Sequence, residues 1–109
     1  MYFVLGGYIR TPEQIRAWFN EKGVNLEEHL YMVKGNRYLR EKGLAARIRS
    51  CDYEGKHSFL VLTHQGLVED SVAMSGNFTR ISEDAYALSV KKEMGLENVD
   101  FVTITDYAG

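Results

Sequence analysis

The chain carries one cysteine, one proline and no apolar run approaching a membrane span. A lone Cys51 excludes an internal disulfide framework and any zinc site built from cysteine pairs. The apolar stretches fall well short of the ~20 residues that a spanning helix requires. Met1 to Arg10 lacks the basic lead and the small-residue cleavage site of a secretory signal. Positive charge is not in excess either, since 13 Lys and Arg stand against 15 Asp and Glu for a formal charge of −2. That balance supplies no general surface for a phosphate backbone, so nucleic acid is not an expected partner. There is no phosphate-loop pattern, no dinucleotide glycine fingerprint and no His-Glu-x-x-His. His29, His57 and His64 have no ligand-like spacing and read as solvated or satisfied surface histidines. What is present is ordinary for a folded domain: 109 residues, 45% of them hydrophobic and 26% charged. A chain of this length holds one core, so residues 1–109 read as a single, soluble, cytoplasmic domain with no membrane partner.

Met1 to Ile9 is rich in aromatic and β-branched residues and reads as a strand, with Gly6-Gly7 marking a bulge or a close backbone approach. Thr11-Pro12-Glu13-Gln14 is a helix start. Thr11 can accept from an early amide, Pro12 suits the first helical position, and Gln14 can close a capping box. Ile15, Trp18 and Phe19 then share a face up to Gly23. Between Val24 and Lys42, Asn25 to Glu28 can cap a second helix, whereas Leu30 to Val33 suits a short strand. Lys34-Gly35-Asn36 reads as a turn, and Arg37 to Lys42 as short helix or irregular chain. Leu44 to Asp52 and Lys56 to His64 form a hairpin around Tyr53-Glu54-Gly55, a second turn falls at Gln65-Gly66, and Leu67 to Met74 is a further strand. Ser82 caps a helix with Ala87, Val90 and Met94 on one face and Gly95 at its end, before a last strand at Phe101 to Thr105. The sum is an α+β fold, an antiparallel curved sheet of about six strands with two helices outside it.

Residues 31–66 carry the most specific pattern. Tyr31, Leu39, Gly43, Arg47, Arg49, Leu62, Thr63 and Gly66 occur in an order that resembles the CYTH family, the triphosphate-tunnel proteins that include class IV adenylyl cyclases and thiamine triphosphatases. The resemblance implies a half-tunnel-like sheet that binds a phosphorylated small molecule or nucleotide. Arg47 and Arg49 would be the main anion contacts, Lys34, Arg37 and Lys56 secondary ones, and Gln65 a neutral hydrogen-bonding group where the family has Lys. Independently of any family, two residues apart on a strand they project from one face, and paired guanidiniums suit bidentate capture of phosphate oxygens. The same spacing also fits a solvated outer face with Ala46 and Ile48 turned inward.

The departures from the family bear on chemistry. Its members open with Glu-x-Glu-x-Lys carboxylates that hold divalent metal, whereas here no acid precedes Glu13. Phosphoryl transfer leans on metal to neutralise developing charge, so the expectation is binding without efficient turnover. No metal site, cofactor or catalytic residue is assigned, and Mg²⁺ would enter only with residual triphosphatase or cyclase chemistry. The chain is also shorter than a full family member, and a sheet that does not close leaves edges that invite pairing. A homodimer through edges or concave faces is therefore expected. Tyr2, Phe3, Tyr8, Phe59, Phe78, Phe101 and Tyr107 supply its contacts or else fill the core. The alternative function is a small dimeric interaction module that inhibits or scaffolds a protein partner and has no ligand site.

Overall fold

A computed structural model describes residues 1–76 and 78–108. Four strands, β1 (Tyr2–Arg10), β2 (Arg47–Tyr53), β3 (Lys56–Val68) and β4 (Phe101–Tyr107), form one sheet in the order β2-β3-β1-β4 with every neighbour antiparallel. Helices α1 (Pro12–Glu21), α2 (Tyr31–Glu41), α3 (Asp70–Ser75) and α4 (Ala85–Met94) fill the connections, and a 3-10 turn at Glu28–Leu30 leads into α2. Setting aside α2 and α3, strand order and direction follow the β-α-β-β-α-β, ferredoxin-like plan, two split βαβ units interleaved in one sheet. A fold of this kind carries many functions and by itself names none.

The alternation of the strands sorts the apolar residues into two layers. Tyr8, Ile48, Phe59 and Val61 point to the helices and pack with Ile15, Trp18 and Phe19 of α1, Tyr31 and Leu39 of α2, and Ala87, Val90 and Met94 of α4. Each large side chain buried there contributes roughly 1.5–3 kcal/mol. On the other face Leu5, Leu60 and Leu62 form a second cluster ringed by Phe3, Ile9, Cys51, Val102 and Ile104, with no helical residue in it.

Two glycines set the geometry. The β1–β3 register shifts between Gly6 and Gly7, so that Gly6 faces His64, Gly7 faces Leu62, and Thr63 is left as the extra residue of a bulge. A Cβ on Gly7 would lie 2.0 Å from the Val61 carbonyl oxygen, a backbone clash that no rotamer relieves. Gly35, inside α2, lets that helix close on β2, where a Cβ would meet Ile48 Cδ1 at 2.4 Å.

The N-terminal signals act as the sequence implies. Thr11 caps α1 in a complete capping box with Gln14, and Pro12 occupies the first turn. The Tyr53–Lys56 hairpin is present, with Glu54 and Gly55 both at positive φ.

Elsewhere the expectation of six strands and two helices is corrected to four and four. Leu30 to Asn36 is not strand and turn but the start of α2, because Tyr31, Gly35 and Leu39 fall at helical spacing and are all buried. Gln65-Gly66 is not a turn. Gly66 pairs with Val4 in the ladder, so β3 runs on to Val68 and α3 replaces the strand expected up to Met74. Asp84, not Ser82, caps α4. With four strands the sheet stays open, edged by β2 and β4, and the half-tunnel is not formed.

Gly7→Ala is expected to cost about 3 kcal/mol in urea unfolding, the upper end of the range for forced overpacking. Gly66→Ala, which has open space around it and ordinary backbone, should stay within about 0.5 kcal/mol of the parent.

Candidate functional site

The outer edge of the sheet at β2 is built by alternation. Ile48 turns into the core, while Arg47 and Arg49 project from the opposite face. The Ile48 backbone points away from β3 toward α2. Its N–H donates to Asn36 Oδ1 at 2.6 Å, and Asn36 Nδ2 donates back to the Ile48 carbonyl at 3.5 Å. One amide side chain thus does for this edge what a further strand would do, which blunts it against pairing. The close approach that Gly35 permits is what brings Asn36 within reach.

Beside this contact lies a hollow of about 220 Å³, lined by Arg47, Arg49, Gln65, Asn36, Met32 and Leu62. Three of the residues singled out in the sequence therefore converge. Arg47 is exposed. Arg49 is half-buried, its guanidinium 5.2 Å above the Phe3 ring and ion-paired with Asp106 of β4. Arg49 therefore crosses the open face of the sheet, and an arriving anion would compete with Asp106 for it. Lys34 and Arg37 lie on α2 outside this lining, and Lys56 opens β3 beside a separate hollow shared with Tyr53 and His57. Cys51 is half-buried. Burial, then the nearby Asp52 and Asp106 carboxylates, push its thiol above the usual range, so it is held as the poorly nucleophilic thiol.

A second polar cluster ties β1 and β3 to α4. Because the bulge frees Thr63 from the ladder, its hydroxyl reaches the neighbouring His64, with Oγ1 and Nδ1 2.7 Å apart. It also lies 3.2 Å from the Gly6 carbonyl. His64 Nε2 is 2.8 Å from Asp84 Oδ2, and Asp84 Oδ1 accepts from the Ala87 amide as the cap of α4. The buried Tyr8 hydroxyl donates to Glu83 Oε2 at 2.6 Å or to the Ala87 carbonyl at 3.1 Å, and Lys91 donates to Glu83 at 3.3 Å. Burial first, and then the Glu83 carboxylate, raise the Tyr8 phenol, which stays protonated. His64 also borders an apolar hollow of about 390 Å³ with Val4, Leu67, Val68 and Ile81. Sequence inspection treats His64 as a scattered histidine. The signal that points to its setting is the Gly6-Gly7 pair, since a bulge opposite it is what lets consecutive residues share a side.

Among the described residues no group of three His, Cys, Asp or Glu side chains is placed to hold a metal ion, and no helix is long and apolar enough to cross a membrane. No family model matches the chain, and no curated protein or solved structure matches it either. Fold and site together define an α+β domain with helices on one face of an open antiparallel sheet and an arginine-lined hollow at its edge.

The α4 anchor sets an acid limit. The Ala87 amide first, and His64 second, hold Asp84 below the ordinary carboxylate range. The Tyr8 hydroxyl first, and Lys91 after it, do the same for Glu83. Both groups bind fewer protons folded than unfolded at a given acid pH, so their stabilisation is complete above the unfolded carboxylate value of ~4 and is lost as pH falls below it. Thermal midpoints measured on acidification through that window should drop. Asp84→Asn keeps a good helix cap but loses the charge, so its midpoint should fall less steeply.

Proposed function

We infer that this protein binds a small phosphorylated molecule or nucleotide at the hollow on the β2 edge and does not turn it over efficiently. The observation that carries this is the convergence of Arg47, Arg49 and Gln65 on one concave surface. Two guanidiniums with a neutral amide between them offer forked donors for phosphate oxygens, and the Phe3 ring keeps Arg49 at the face. The first strand brings no carboxylate to the site, so nothing in this lining would hold the metal on which phosphoryl transfer depends. Asp106 acts as an internal counter-ion, holding Arg49 in place until a ligand displaces it.

Titration calorimetry with tripolyphosphate and ATP, with and without Mg²⁺, tests this at low ionic strength. Arg47→Ala and Arg49→Ala should each weaken binding about tenfold or more, as expected for a lost hydrogen bond to a charged group. Asp106→Asn should tighten it, because Arg49 no longer has to be released. Absence of heat with every phosphate compound, or full affinity in both arginine variants, would refute the site.

A second reading, a homodimer, draws support from the uncovered sheet face. Phe3, Ile9, Val102 and Ile104 surround the buried Leu5, Leu60 and Leu62 with no helix over them. With Asn36 occupying the β2 edge, that face is a better contact than the edge. A two-fold axis running along the strands would lay the Arg47 and Arg49 edge of one protomer over the β4 edge, with its Asp106, of a second copy. Light scattering after size exclusion at micromolar concentration should give the mass of a dimer, and Ile104→Glu that of a monomer. A parent protein that is already monomeric would rule the dimer out.

A further inference from the structure

At the opposite end of the molecule from the β2 edge, α1 and the end of α4 enclose a hollow of about 150 Å³ lined by Arg10, Gln14, Trp18, Glu21, Met94 and Gly95, among others. Two donors there are unsatisfied. Trp18 is only 8% exposed, yet its indole Nε1 has no acceptor among the described residues. Leaving such an N–H buried and unpaired costs about 1–3 kcal/mol, so it is a group that calls for a partner. Arg10, the last residue of β1, is half-buried, and no carboxylate among the described residues pairs with it. Burial lowers its guanidinium below the usual range, which is what withdrawal from water without a counter-ion does.

The same hollow also presents negative character. The Glu21 carboxylate lines it, and Met94 and Gly95 bring to it the end of α4, where the last carbonyls of a helix lack intrahelical partners. Glu21 forms no ion pair with Arg10, so the two opposite charges face one cavity without cancelling each other. A bare anion would satisfy Arg10 and Trp18 but oppose Glu21 and the helix end. A bare cation would do the reverse. A ligand that carries both charges a few bonds apart complements every one of these groups.

We propose that the hollow between α1 and the end of α4 binds a small free α-amino acid, its carboxylate held by Arg10 and the Trp18 Nε1–H and its ammonium by Glu21 and the terminal carbonyls of α4. The small volume restricts the ligand to the amino-acid head and a short side chain, because sites for larger molecules run to ~300 Å³ and beyond. This site is separate from the arginine pair at the β2 edge and does not depend on it.

Trp18 is the only tryptophan in the chain, so its fluorescence reports this hollow directly. Titrating the full chain with glycine, L-alanine, L-serine and the other L-amino acids should give a saturable change in emission with one or more small members. Acetate and methylammonium at the same concentrations should give none. Arg10→Gln and Glu21→Gln, each shown to be folded by circular dichroism and thermal midpoint, should each raise the apparent Kd about tenfold. No saturable response to any amino acid would overturn the proposal. So would an equal response to acetate, which would mark a simple anion site, or a response unchanged in both variants. Phosphate compounds should leave the Trp18 emission unaltered even where they bind at Arg47 and Arg49, so the two sites fail or succeed independently.

Discussion

The packing of Gly7 against the Val61 carbonyl is the constraint from which most of the structure follows. It brings β1 and β3 closer than any side chain would allow, and the ladder accommodates this by carrying one extra residue, Thr63. The bulge turns Thr63 and His64 to the same side, and there they meet Asp84 at the start of α4. Beyond it, β3 continues to Val68 and forms the central pairing on which β2 and β4 are hung. A local steric fact at one residue thereby fixes where a helix begins and which side chains approach it.

The same economy operates at β2. Gly35 opens α2 to Ile48, Asn36 then satisfies both backbone groups of that residue, and the edge strand is held without a further strand beside it. Arg47 and Arg49 are positioned as a consequence, because the inward turn of Ile48 leaves its neighbours nowhere to go but the open face. The ion pair of Arg49 with Asp106 and its stacking over Phe3 keep one guanidinium ordered across an apolar surface that water would otherwise reach. Binding at this site is an exchange of counter-ions more than the creation of new contacts, which makes it sensitive to ionic strength.

Legibility in the sequence divides along physical lines. Signals that act within one turn of chain were readable: the Thr11, Pro12 and Gln14 cap, the Glu54-Gly55 hairpin, and the apolar faces of α1 and α4. Signals whose meaning depends on what packs against them were not. Gly35 and Gly66 both look like turn formers, yet one sits in a helix because β2 needs the room, and the other lies in a strand opposite Val4. Tyr31, Met32 and Val33 have the composition of a strand and adopt helix because Tyr31 and Leu39 are buried together. The Arg47 and Arg49 pair was legible from spacing alone. The polar contacts of His64 and the unpaired donors at Arg10 and Trp18 were not, since each is defined by residues distant in the chain.

The central claim is that Arg47, Arg49 and Gln65 act together on a phosphorylated ligand, and amide and arginine side-chain NMR of labelled protein during titration with tripolyphosphate examines it at residue level. The account predicts saturable shifts concentrated at Asn36, Ile48, Arg49 and Gln65, with the Arg49 Nε resonance among the largest as it leaves Asp106. Shifts centred on Lys34, Arg37 and Lys56 instead, or no shifts at all, would contradict it.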